Sequence, residues 1–179
     1  EEDGKVPDST GNGNDLTLYG AANTTDDAQK GSYVVSLDGT EGSYAELPEG
    51  LFDNLDEVTV EMDVRADRTG EEAAAFDLGK AGGQSMCLKV LDDALKAAFV
   101  LPDGKEGQGV QGNTDSCGGK WMHLTLVLSP GSMKLYKDQA LLAENNSLTA
   151  SVKEMGENLT AYLGRPFSGG AHFQGAFDN

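Results

Sequence analysis

Two carboxylates separated by one residue, Glu61 and Asp63, are the pair in this chain best spaced to do chemistry together. In an extended segment, positions i and i+2 share a face. Two carboxylates on one face are what glycoside hydrolysis uses as its acid and its nucleophile or base. Thr59 and Arg65 prolong the same face, so the four residues form one polar stripe. A solvated strand face explains such a stripe without catalysis, and Val58, Val60, Met62 and Val64 around it add no further acidic or aromatic group. The only histidines, His123 and His172, adjoin no nucleophile-elbow glycine pattern, so no triad is expected. The expectation is a protein that is not an enzyme, with Thr59, Glu61, Asp63 and Arg65 as candidate ligand contacts.

The stripe needs a strand to carry it, and the chain reads as strands throughout. From Glu57 to Ala66, apolar and polar residues alternate without a break. From Trp121 to Leu128, Met122, Leu124, Leu126 and Leu128 fall on one face, and Trp121, His123, Thr125 and Val127 on the other. Ser129-Pro130-Gly131 is turn chemistry, and Met133 to Asp138 reads as the returning strand. Further strands are expected at 16–19, 31–38, 43–47, 73–78, 85–91, 95–101, 107–112, 140–144, 159–163 and 172–177. Asp92-Asp93 forms a tight turn between two of them. Tyr33, Val35 and Leu37 are expected on one side of their strand. A single helical turn is expected at 51–55, and a loop or helical turn around 149–155. About a dozen short strands with glycine-rich turns predict an all-β, two-sheet antiparallel β-sandwich over residues 1–179.

Composition bounds the partners. Thirty acidic against 13 basic residues give a formal charge of -17. That field repels nucleic acid and anionic membranes. No apolar run approaches the roughly 20 residues that span a bilayer, so no membrane insertion is expected. The chain opens at Glu1-Glu2-Asp3 without an initiator Met and reads as a segment of a longer secreted or cell-surface protein. Cys87 and Cys117 fit no zinc spacing. Whether they pair is open, since one falls in a loop and the other in a strand.

The hairpin Lys-Trp-Met-His-Leu-Thr-Leu-Val-Leu (120–128) with Met-Lys-Leu-Tyr-Lys-Asp (133–138) resembles that of laminin G-like jelly rolls of the concanavalin A-like superfamily. Four other stretches match in order: 8–15, Val35 to Gly39, Val58 to Val64, and Leu163-Gly-Arg with Phe173 to Asp178. Gln139 stands where the family has glycine after the hairpin aspartate. The family also continues past Asp178 into one more strand, so the resemblance implies a domain lacking its final strand and open at a sheet edge.

The resemblance implies more. Trp121 would belong to the sandwich interior and be unavailable to a sugar. The tyrosines at 19, 33, 44, 136 and 162 are scattered singly and announce no aromatic platform. A structural Ca2+ would be held by Asp178, with carbonyls of the turn at Asp38, Gly39 and Gly42, and with Asp8 and Asp15 as further ligands. The expected role is a carbohydrate-binding or adhesive module, for instance beside a glycoside hydrolase, whose partner is a glycan. The alternative is a spacer that packs against a neighbouring domain of the same polypeptide.

Overall fold

The computed structural model describes residues 4–167 and 169–178. In chain order the first eight strands are β1 (Lys5–Val6), β2 (Leu16–Tyr19), β3 (Asn23–Asp27), β4 (Ser32–Asp38), β5 (Tyr44–Glu46), β6 (Val58–Ala66), β7 (Ala73–Gly79) and β8 (Ser85–Val90). The others are β9 (Ala94–Val100), β10 (Glu106–Asn113), β11 (Trp121–Ser129), β12 (Ser132–Lys137), β13 (Ala140–Asn145), β14 (Thr160–Leu163), β15 (Ala171–His172) and β16 (Gln174–Asp178). One sheet has nine strands, in the order β1-β2-β5-β14-β7-β8-β9-β10, with β15 pairing alongside β7. The other has seven, in the order β13-β12-β11-β6-β16-β4-β3. The pairings are antiparallel except for β15 on β7 and an isolated bridge from Ala66 to Gly118. Among the described residues no helix is long and apolar enough to cross a membrane.

The sandwich follows from the alternation. Val58, Met62, Val64 and Ala66 of β6 face inward with Met122, Leu124, Leu126 and Leu128 of β11, and all are buried. They meet Phe76, Leu78, Met86, Leu88, Leu95 and Phe99 of the opposite sheet. Each fully buried large side chain contributes roughly 1.5–3 kcal/mol, so a slip of one residue, which would turn the set outward, is excluded.

Some local expectations are corrected. Residues 51–54 form hydrogen-bonded turns and no helix, with the Asp53 N–H donating to the Gly50 carbonyl; among the described residues the one 3-10 turn is Lys153–Met155. β3, Asn-Thr-Thr-Asp-Asp, has mixed strand propensity, two threonines against three Asn and Asp residues, and no apolar alternation. It is extended because β4 pairs with it along its whole length, and its polar side chains blunt a sheet edge. Cys87 and Cys117 are unbridged and buried. Cys117 belongs to the inter-sheet core, whereas Cys87 alternates with the inward Met86 and Leu88 and so points to the outer face.

β16 is shorter than the strands on either side of it. It spans 5 residues, against 9 in β6 and 7 in β4. Its register with β6 ends at Asp178 opposite Asp63, and with β4 at Phe177 opposite Val35. Among the described residues, Thr59, Val60, Glu61 and Met62 of β6 and Tyr33 of β4 line, with Phe177 and Asp178, a cavity of about 670 Å³. Tyr33 shares a face with the buried Val35 and Leu37, yet it is 70% exposed because it points into this opening.

Candidate functional site

The polar stripe lies on the outer face of the seven-stranded sheet, where the register sets Asp63 beside His123 and Arg65 beside Trp121. Asp63 Oδ1 lies 2.8 Å from His123 Nδ1, and its other oxygen is paired with Lys30. Burial alone would raise the Asp63 pKa, but Lys30 and His123 outweigh it and hold the carboxyl below its ordinary value. Lys30 Nζ is also 3.8 Å from Asp178, whose carboxylate accepts the Ser32 hydroxyl at 3.0 Å. Arg65 is paired with Asp27 and donates from Nε to Asp67 at 2.7 Å. The Asp27 pKa is lowered by the Lys30 backbone N–H above all, and by Arg65 and Trp121 against the cost of burial.

The stripe is therefore a network of mutual ion pairs. Asp63 and Arg65 are committed to partners, while Thr59 and Glu61 remain exposed at the rim of the opening beside β16. A general acid needs a raised pKa, and Asp63 has the opposite.

Trp121 is not interior, in contrast to what the resemblance implies. It sits half-buried on the outer face, because Met122 takes the inward parity. Lys30 Nζ and the Arg65 guanidinium cover it at 5.4 and 5.3 Å from the ring centroid, so the indole is capped by cations.

The implied calcium ligands do not come together. Asp38 pairs with Gln174 at one end of the β4–β16 ladder and Asp178 lies at the other. Asp38 Oδ1 accepts the Thr40 N–H and hydroxyl at 2.9 and 2.7 Å. Gly39 is packed against Gln174, where a Cβ would come within 2.8 Å of the Gln174 Cβ, and Gly42 turns the chain toward β5. Asp8 accepts from Thr10 and Asn14, and Asp15 accepts the Asp8 N–H at 2.9 Å. Asp8 and Asp38 each close an Asx-type turn; Asp15 lies beside Asp8, and Asp8 and Asp178 line the same opening, whereas Asp38 stands apart from Asp178. Among the described residues no three His, Cys, Asp or Glu side chains cluster as a metal site.

A second constellation lies on the outer face of the nine-stranded sheet. Tyr19 of β2 is opposite Tyr44 of β5, and their rings stack at 4.7 Å. Tyr162 of β14 meets Tyr44 edge-on at 5.4 Å, and Phe167 packs on Tyr162 at 4.8 Å. Over Tyr44 and Tyr162 lies the Arg165 guanidinium, at 4.6 and 4.8 Å. The turn that delivers Arg165 requires glycine: Gly164 has φ 84°, and a Cβ there would stand 2.2 Å from Leu37 Cδ1. Glu41, Tyr44, Arg165, Pro166, Gly169, Gly170 and His172 enclose a cavity of about 400 Å³. Burial lowers the His172 pKa, so the imidazole is neutral at pH 7.

Asp77 anchors this loop from below. Its Oδ2 accepts the Phe167 N–H at 2.9 Å, and its Oδ1 has no partner among the described residues. The carboxyl is 2% exposed, and burial pushes its pKa up to about 7.

A model of the concanavalin A-like lectin/glucanases superfamily, of laminin G type, matches residues 38–179. The chain belongs to this superfamily. The fold agrees with solved members of similar shape. Domain 4 of AbnA, a GH43 extracellular arabinanase from Geobacillus stearothermophilus solved with arabinotriose, is 19% identical with a TM-score of 0.68, covering 96% of this chain and 82% of that one. Mouse laminin alpha1 domains LG4-5 give 18% and 0.61, over 82% of this chain and 39% of that one. The CBM40 of Ruminococcus gnavus IT-sialidase, bound to alpha2,3 sialyllactose, gives 13% and 0.57, over 78% and 85%. No curated protein matches the sequence.

Within the superfamily frame, the stripe was legible from alternation and the tyrosine–arginine pocket was not. Its lining comes from the turn before β5, from β5, from the loop after β14 and from β15, and the supporting rings Tyr19 and Tyr162 from β2 and β14, which only sheet order makes neighbours. One signal was present: Tyr19, Tyr44 and Tyr162 each occupy the polar parity of their strands, alternating with the inward Leu18, Ala45 and Ala161.

Proposed function

We propose that this protein is a non-catalytic carbohydrate-binding module of a larger secreted or cell-surface protein, and that its sugar site is the pocket around Tyr44, Tyr162, Arg165 and His172. The observation that carries this reading is a concave site on an outer sheet face lined by the Tyr44 ring, the Arg165 guanidinium, the His172 imidazole and the Glu41 carboxylate, with Tyr162 holding Arg165 beside it. Its lining is mainly polar, and donors and acceptors beside one aromatic ring suit a polyhydroxylated ligand. Tyr19, 38% exposed at the end of the stack, adds a ring face for a second sugar unit. The glycan-bound state of two similar structures supports the same reading. The test is a glycan array followed by calorimetry on the intact chain and on Tyr19→Ala and Arg165→Ala. Binding that both substitutions weaken, with unchanged unfolding midpoints, is expected. Silence across plant, host and microbial glycans would reject the role.

A second reading is favoured by the opening beside β16: the module packs against a neighbouring part of the same polypeptide. Strand edges at 58–62 and 32–33, unpaired on this side among the described residues, with Val60 and Tyr33 beside them, suit an extended segment as partner. Thr59 and Glu61 would then contact that partner at the rim. Proteolysis of this module joined to its natural flanking sequence separates the two readings, since a packed neighbour slows cleavage between them.

A further inference from the structure

The chain has three arginines. Arg65 is paired with Asp27 and Asp67, and Arg68 with Glu71. Arg165 has no ion-pair partner among the described residues, although the chain carries 30 carboxylates. What holds it instead is a pair of aromatic faces, Tyr44 and Tyr162. Aromatic support fixes a guanidinium plane without neutralising its charge, which leaves its N–H edge to bind an anion in bidentate fashion.

The rest of the pocket agrees. Gly169 and Gly170, with φ 70° and 118°, line the same cavity, and neither backbone N–H donates to an acceptor among the described residues. Successive free N–H groups in a turn form an anion-binding concavity. His172 offers a neutral ring nitrogen, and the Glu41 carboxylate, also in the lining, is an acceptor for hydroxyl groups. The cavity thus combines a cation for negative charge with donors and acceptors for hydroxyls. Its volume of about 400 Å³ suits a single sugar ring better than an extended polymer.

We infer that the pocket selects a carboxylate-bearing sugar, a uronic or sialic acid residue. Arg165 and the Gly169–Gly170 amides hold the carboxylate, while Glu41 and His172 bind ring or side-chain hydroxyls. The acidic surface strengthens the selection, because a net charge of -17 repels polyanions in general and admits one carboxylate only where a cation is uncovered. Phosphate and sulfate polymers are disfavoured by the same field.

This inference rests on the sugar-binding reading, and the experiment separates the two. Calorimetry on the intact chain would use galacturonic-acid and glucuronic-acid oligosaccharides and sialyllactose, each beside its methyl ester, with neutral oligosaccharides as a third arm. An acid is expected to bind at least about tenfold more tightly than its ester, the scale of one charge-assisted bidentate contact. Arg165→Gln is expected to erase that difference while the unfolding midpoint stays in place, and raised salt to shrink it. Equal affinity for acid and ester, or binding of neutral sugars alone, would overturn the selection and leave sugar binding standing. No binding in any arm would remove both.

Discussion

The guanidinium of Arg165 lies 4.6 Å from the Tyr44 ring centroid, and that same ring stacks on Tyr19 at 4.7 Å from the ring partner's centroid. Four groups from three strands and one turn thereby become a single stacked unit: Tyr19, Tyr44, Tyr162 and Arg165. Each aromatic–cation contact at a partly exposed site contributes about 0.5–1 kcal/mol. Tyr44→Leu is therefore expected to loosen Arg165 and weaken glycan binding about twofold to fivefold, with little loss of stability. Calorimetry beside a thermal melt checks this. An unaltered affinity would detach the ring from the site.

Asp77 makes stability depend on pH with a definite sign. Its carboxyl ionises near 7 when folded and at about 4 when unfolded. Between those values the folded state holds a proton that the unfolded state has lost. Stability from this group is thus complete below about pH 4, falls as pH rises to 7, and is flat above. Asp77→Asn keeps an acceptor for the Phe167 N–H and removes the titration. The midpoint difference, Asn variant minus parent, should grow from pH 4 to 7 and then level off. A constant difference would contradict the burial argument.

Asp63 carries the opposite sign. Its lowered pKa contributes stability above the ordinary carboxylate range, and that stability is lost as pH falls through its folded value. Asp63→Ala also leaves Lys30 and His123 half-buried without their acceptor. A loss of about 1–2 kcal/mol at pH 7 is expected, reduced by partial solvent screening. Denaturant titration measures it. A neutral effect would mean that the network is surface decoration.

Between β12 and β13 the turn residues Asp138 and Gln139 both adopt left-handed backbone, with φ of 49° and 69°. Asp138 gains locally, since its Oδ1 accepts the His123 N–H at 3.0 Å. Gln139 makes no such bond among the described residues, so it bears the steric cost alone. Gln139→Gly is expected to stabilise by about 1 kcal/mol, a rise of roughly 2–4 °C in Tm for a chain of this size. A fall would show that the turn gains more from glutamine than the backbone loses.

The separation of Asp38 from Asp178 bears on calcium. A cation bound only by the folded state must raise the unfolding midpoint. With the implied ligands in separate turns that already use their oxygens, chelator is expected to leave the midpoint unchanged. A drop of several degrees with chelator, restored by Ca2+, would require these turns to rearrange around the ion.

The sequence by itself determined what alternation can carry. Val58 to Ala66 and Trp121 to Leu128 announce which side chains enter the core, because a strand has period two and burial enforces it. The hairpin motif and its companions announce the superfamily, and Glu61 and Asp63 must share a face in any extended backbone. Tertiary structure decided everything that depends on which strands become neighbours. Lys30 reaches Asp63 only because β16 lies between β4 and β6 and brings Asp178 beside them. Trp121 faces outward because parity overrides its hydrophobicity and two cations come to cover it. Tyr19, Tyr44 and Tyr162 converge only through the order β2-β5-β14. Non-local pairing sets those distances, and no local pattern of residues encodes it. The same order brings the Arg165 of a Leu-Gly-Arg turn into the lining of a cavity.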